Sequence, residues 1–152
     1  MAVIEEVTVA IQRLPGNEDL PLPRYMTEHA AGLDLLAAVR RDTELCPGHR
    51  EMIPTGMAIA LPVGFEAQIR PRSGIAWKYG VTLVNAPGTI DADYRGEIGL
   101  LLINHGDHPY IVRRGDRIAQ MIVQRVCRVQ WAVQSILNPT IRGEGGFGHT
   151  KK

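Results

Sequence analysis

The sequence predicts an all-β chain, a sandwich or barrel of short strands with one short helix. Apolar and polar residues alternate in run after run, the signature of half-buried strands. The runs recur at a spacing of roughly ten residues, with turn chemistry and no long helical stretch between them. In addition, 16 glycines and 10 prolines in 152 residues exceed the roughly 12% expected from average usage, punctuation that suits many segments joined by turns.

Taken in order, the first strand comes from Val7, Val9 and Ile11 interleaved with Thr8, Ala10 and Gln12. Residues 30–39 are ambiguous: their alanines favour a helix, while Gly32 and the Ala-Gly-Leu-Asp order fit a strand that begins at a turn. Met57, Ile59 and Leu61 alternate again, then Pro62-Val63-Gly64 marks a tight turn into Phe65, Ala67 and Ile69. A helix of about one turn fits residues 75–79, with Ser73 as N-cap and Gly80 as its stop. Further strands are expected over 81–84, 98–103, 110–112 and 118–126. The turns between them carry Asn85-Ala86-Pro87-Gly88, His105-Gly106-Asp107-His108 and Arg114-Gly115-Asp116. After Asn138-Pro139 the tail changes character, with four glycines in positions 143–148, too many to hold an element alone. Phe147, one of only two phenylalanines, stands inside that tail, which favours an arm ordered by a ligand over an inert end.

One domain suits this length, and no internal repeat, low-complexity block or second domain is visible. Lys and Arg number 17 against 16 Asp and Glu, a net charge of +1. That balance argues against a general nucleic-acid binder, whose affinity comes from many phosphate contacts. It leaves room for a small anion held by a few local cations. Cys46 and Cys127 stand far from each other and form no CxxC, so both read as reduced, buried thiols. The first 14 residues have neither a basic leader nor an uninterrupted apolar core, and no apolar run reaches the ~18 residues that span a bilayer. The expectation is a cytoplasmic protein without nucleic-acid or membrane partners.

Several segments carry chemistry. Arg70-Pro71-Arg72-Ser73-Gly74 places two guanidiniums and a hydroxyl at a helix start, where free N–H groups attract anions and Arg matches phosphate oxygens. The same residues also fit a capped helix beside a solvated charge pair. Residues 88–97, GTIDADYRGE, hold two carboxylates, Asp91 and Asp93, which face the same way if the chain is extended and part if it turns. A carboxylate beside a polyphosphate can orient a water and take its proton, though taken alone the stretch reads rather better as an acidic turn closing a hairpin. Asn85 offers donor and acceptor to an amide-like base edge, or simply makes the turn. Asp116 and Arg117 could pair with each other, and Gln120 could be an ordinary strand residue. Asp34, alone among apolar neighbours, needs a partner or a cation.

Together these segments resemble, in order, the five motifs of the trimeric dUTPases: AGLDLLAA (31–38), PRSGIAWKYG (71–80), NAPGTIDADYRGE (85–97), RGDRIAQMIV (114–123) and RGEGGFGHT (142–150). They cover about a third of the chain and span nearly all of it. The resemblance implies a jelly-roll-like β-barrel over 1–137 and a C-terminal arm over 138–152 that completes a neighbouring subunit's active site in a homotrimer. It implies hydrolysis of dUTP to dUMP and pyrophosphate, which supplies dUMP for thymidylate synthesis and keeps uracil out of DNA, with Mg²⁺ as cofactor. Asp91 resembles the catalytic carboxylate, which orients a water toward the α-phosphorus, and Asp34 resembles the carboxylate that acts on the metal through water. Arg72, Ser73, Gly74 and Gln120 would cradle the triphosphate, with Arg142 on the distal phosphate and His149 and Thr150 beside it. Asn85, Thr89 and Ile90 would line the uracil site, Tyr94 would lie beneath the deoxyribose, and Phe147 would close over the base. The usual fifth motif continues by a further glycine or so, whereas this chain ends in Lys151-Lys152.

Two other readings share the fold. A dCTP deaminase would attack the base, but nothing here supplies the additional acid it needs, and the 71–74 and 89–97 segments resemble the pyrophosphatase form. A non-catalytic nucleotide-sensing barrel would have kept the pocket without Asp91, Arg72, Gln120 and Phe147 all in place.

Overall fold

The computed structural model describes residues 6–146, with eleven strands and one helix among them. In chain order these are β1 (Ala10–Arg13), β2 (Leu33–Leu36), β3 (Thr43–Leu45), β4 (Arg50–Pro54), β5 (Met57–Ala60), β6 (Phe65–Pro71), α1 (Ser73–Tyr79), β7 (Val81–Leu83), β8 (Gly88–Ile90), β9 (Gly99–Asn104), β10 (Tyr110–Val112) and β11 (Arg117–Arg125). Every pairing is antiparallel. The largest sheet runs β2-β11-β6-β8, a second runs β4-β9-β7, and β1-β5 and β10-β3 form two-stranded ribbons. Their inner faces share one apolar cluster, the all-β jelly-roll-like barrel expected from the sequence.

Strand β9 shows how the core is specified. Its residues read Gly-Leu-Leu-Leu-Ile-Asn, nearly apolar throughout, yet Leu100, Leu102 and Asn104 are fully buried while Leu101 and Ile103 are half-exposed. The period-2 geometry of a strand sorts the side chains, and each buried leucine contributes about 1.5–3 kcal/mol. Strand β11 departs from that rule where it matters for function. Its register against β2 slips between Arg117 and Ala119, so Ile118 and Ala119 are both buried and Gln120 falls opposite Asp34. A bulge of this kind re-aims the side chains that follow it.

Several expectations are revised. The first strand begins at Ala10, because only residues 10–13 find a partner in β5; Val9 packs on the core without strand pairing. Residues 30–39 hold strand β2 and no helix, since Leu33–Leu36 pairs with β11. Ser73 is the first helical residue; Arg72 occupies the cap position in extended conformation and makes no side-chain cap bond. Gly80 does end the helix, at φ 70° with its N–H donating to the Ala76 carbonyl. Strands β3, β4 and β8 were not foreseen. Both cysteines are free, but neither is fully buried: Cys127 lies past the end of β11 and is exposed, and Cys46 is half-buried with its thiol 3.3 Å from Glu44 Oε1. Among the described residues no helix is long and apolar enough to cross a membrane.

Candidate active site

Two cavities gather most of the chemically marked residues. The first, about 370 Å³, is lined by Gly32, Asp34, Arg72, Ser73, Gly74, Arg117 and Gln120, together with Met26, Ala30 and Ala31. It exists because β2, the end of β6, the start of α1 and β11 converge. Pro71 closes β6, so Arg72, Ser73 and Gly74 emerge just as the chain turns into α1. Gly74 has open space where a Cβ would stand, leaving the backbone approachable. On the other wall, a Cβ at Gly32 would overlap Gln120 Oε1. The glycine therefore lets the Gln120 amide lie flat, where its nitrogen donates to the Pro71 carbonyl at 3.0 Å.

The charges in this cavity are mutually held. Asp34, with only 13% of its side chain exposed, bridges Arg72 Nε at 3.4 Å and Arg117 Nη1 at 3.2 Å. Arg72 Nη1 also donates to the Arg117 carbonyl at 2.7 Å. A lone carboxylate facing two guanidiniums leaves one cationic charge in excess, a suitable floor for an oligophosphate. Asp116 and Arg117 do not pair: Asp116 Oδ2 accepts the Arg113 N–H and shapes the turn. Arg70 is not part of the cavity. Its guanidinium folds back along its own strand to Gln68 Oε1 at 2.8 Å and 3.2 Å.

The second cavity, about 480 Å³, is lined by Met52, Pro54, Thr89, Ile90, Asp91, Tyr94, Glu97 and Gly99. Strand β8 pairs with β6 through Ala67↔Ile90 and Ile69↔Gly88, then the chain turns at once, with the Tyr94 N–H donating to the Asp91 carbonyl at 3.1 Å. That turn separates the two acids: Asp91 lines this cavity, whereas Asp93 lines only a neighbouring hollow that Asp91 also reaches. Asn85 packs over Gly88, with its Nδ2 near where a Cβ at 88 would stand, and so sits at the base of the hairpin. The Tyr94 phenol donates to the Glu97 carbonyl at 3.0 Å. Met52, Pro54 and Glu97 were not anticipated as lining residues, nor was Arg117 as a partner of Asp34; the solitary carboxylate at 34 was the signal that such a partner existed.

The two cavities share no lining residue within one chain. Past β11 the chain runs exposed over residues 126–141, with Val129, Trp131 and Val133 alternating and each at least 69% exposed. Arg142 turns onto its own neighbour, its Nε donating to the Gly145 carbonyl at 2.8 Å, and lines neither cavity. Phe147, His149 and Thr150 lie outside the described residues.

A dUTPase family model matches residues 18–151. Among solved structures, a Staphylococcus bacteriophage 80alpha dUTPase variant with dUpNHpp superposes with a TM-score of 0.83 at 22% identity, covering 94% of this chain and 98% of that one. A second variant of the phage 80alpha enzyme gives 0.84 at 23% identity, with 93% and 98% covered. A dUTPase variant from phage phi11 of S. aureus, described with a structural Mg(II) ion, gives 0.76 at 20% identity, with 86% and 98% covered.

Proposed function

Because the chain belongs to the dUTPase family, we propose that it hydrolyses dUTP by in-line attack of water on the α-phosphorus, with Asp91 orienting that water. Membership makes it a dUTP diphosphatase that works with Mg²⁺. Asp91 takes a proton as the water oxygen bonds to the α-phosphorus; the bond from that phosphorus to the bridging oxygen breaks and pyrophosphate leaves. The product is dUMP.

The donor set fits a metal carried by the substrate. Among the described residues Asp34 is the only carboxylate lining the Arg72 cavity, and no cluster of three or more His, Cys, Asp or Glu could cage an ion. Asp34 would act on Mg²⁺ through water, the ion being held chiefly by the substrate's phosphates, as is usual for this metal. When bound it lowers repulsion toward the nucleophile and eases departure of pyrophosphate.

Arg72, Ser73, Gly74 and Gln120 hold the triphosphate. Arg142, His149 and Thr150 from the arm meet its distal end. Asn85 and the hairpin backbone read the uracil edge beside Thr89 and Ile90, and cytosine's reversed donor and acceptor pattern leaves buried groups unpaired. Tyr94 lies beneath the deoxyribose and Phe147 covers the base.

One observation supports a shared site more than any other: the phosphate floor and the nucleoside hairpin occupy separate cavities of one chain. A homotrimer that sets one subunit's cradle against a neighbour's hairpin, closed by an arm leaving the barrel after residue 137, unites them. The first test is product analysis with Mg²⁺ and, separately, dUTP, UTP, dCTP and dTTP. Conversion of dUTP alone to dUMP and pyrophosphate is expected. Ammonia from dCTP would establish a deaminase instead, and no reaction with any of the four would leave a sensor or a defective arm.

A further inference from the structure

The Tyr94 ring, proposed above to lie beneath the deoxyribose, where it would leave no room for a 2′-hydroxyl, is not held by packing alone. It lies across Gly96, where a Cβ would overlap its hydroxyl, and that hydroxyl donates to the Glu97 carbonyl at 3.0 Å. Glu97 is itself tied from the opposite direction. Its Oε1 accepts the Gly56 N–H at 2.7 Å, across 41 residues of sequence, so the carboxylate that enters the nucleoside cavity is already committed to backbone. Gly56 is a fixed anchor: it sits at φ +68°, a side chain there would overlap Asn17, and its carbonyl accepts the Leu14 N–H at 2.8 Å. The next residue continues the seam, with the Ile98 N–H donating to the Met57 carbonyl at 2.8 Å and the Thr55 hydroxyl donating to the Ile98 carbonyl at 2.7 Å. Upstream, Arg95 Nη1 wraps the turn by donating to the Ala92 and Tyr94 carbonyls.

We infer that Glu97 is a positioning residue for sugar selectivity: its carboxylate pins residue 97 to the Gly56 turn, and its carbonyl holds the Tyr94 ring at the height that admits deoxyribose and rejects ribose. The inference rests on the assignment of the sugar to the Tyr94 cavity. It explains why an acid lines a site for an anionic substrate, since this carboxylate serves a backbone N–H and not the ligand. Charge is not what the strut requires; an acceptor at Oε1 is.

The test compares kcat/KM for dUTP and for UTP in the wild type, Glu97→Gln, Glu97→Ala and Tyr94→Phe, together with Tm. Losing a tie of this strength corresponds to a fall of about tenfold in the dUTP:UTP ratio for Glu97→Ala and for Tyr94→Phe, carried mostly by a lower KM for UTP. Glu97→Gln, whose amide oxygen can still accept from Gly56, should keep the ratio within about threefold of wild type. A lowered Tm with an unchanged ratio in Glu97→Ala would show a merely structural role and overturn the strut, and so would a glutamine variant as unselective as alanine. Should Glu97→Ala fail to fold, Tyr94→Phe decides: an unchanged ratio there overturns the inference. A wild-type enzyme indifferent to the 2′-hydroxyl would remove the sugar assignment and the strut together, whereas a selective wild type with selective variants removes the strut alone.

Discussion

Asn104 ends β9 with its side chain fully buried, and all three of its hydrogen bonds go to backbone. Nδ2 donates to the Leu45 carbonyl at 2.9 Å and the His108 carbonyl at 2.8 Å, while Oδ1 accepts the Gly106 N–H at 2.8 Å. The turn so held touches the end of α1: the His105 N–H donates to the Gly80 carbonyl at 2.9 Å, and a Cβ at Gly106 would overlap the Tyr79 carbonyl oxygen. Asn104→Asp changes almost no volume but removes both donors and aims a carboxylate at two carbonyl oxygens. Each orphaned acceptor costs about 1–3 kcal/mol, and an unpaired buried carboxylate adds to that. The expected loss near neutral pH is ~3–5 kcal/mol, a large part of the ~5–15 kcal/mol typical of a domain.

The sign of its pH dependence follows. Burial raises the folded pKa of the introduced carboxyl above its unfolded value of about 3.9. The folded variant then binds more protons than the unfolded one, so its stability falls as pH rises above about 4 until the raised folded pKa is passed. Near pH 4 the protonated acid can donate once, and the loss should shrink to ~1–2 kcal/mol. Urea unfolding of both proteins at equal concentration, at about pH 4 and pH 7, measures both quantities. A loss below about 1 kcal/mol at neutral pH, or one identical at the two pH values, would refute the assignment of Asn104 as a buried clamp.

Asp91→Asn should retain binding of a non-hydrolysable dUTP analogue by calorimetry while turnover falls about 10²–10⁴-fold, the range of a lost general base; an active variant would shift the role to Asp93. Co-refolding that variant with a chain truncated after Ile141 should recover activity neither has alone, and no recovery in proven mixed assemblies would argue against sites shared between chains. Asp19 is held below its usual 3.8 by its hydrogen bonds to the Arg114 guanidinium, so its contribution to stability is present above that value and lost as pH falls through the lowered one. The Tm gap between wild type and Asp19→Asn should therefore be open near pH 6 and closed well below pH 3.8; a gap that persists in acid would refute the pairing.

The parts of the site that depend on local chemistry were legible in the sequence. Arg72, Ser73 and Gly74 line one cavity because Pro71 and the helix start fix them over a few residues, and Asp91 parts from Asp93 because a turn follows β8. What depends on register between distant strands was not. Arg117 reaches Asp34 across 83 residues and a bulge in β11, and nothing near either residue announces it. Strand β4 was invisible for a simpler reason: of its five residues only Ile53 is buried, so alternation has no second beat. Strand β3 is three residues long, too short to show a period. Ser73 misled because a hydroxyl before a helix is a good cap by composition, while here Arg72 takes the cap position and the serine faces the cavity.

The order of strands in the largest sheet also governs how the chain can be made. β11, the last strand among the described residues, lies between β2 and β6, so those two cannot be joined until residues 117–125 have emerged. Pairing of such high sequence separation is slow, and synthesis proceeds from the N-terminus. During that wait both flanking strands present open edges that invite pairing with other chains. A chain broken off before β11 does not become a smaller working barrel; it keeps a slot in the middle of its sheet, and its fate falls to chaperones and proteases.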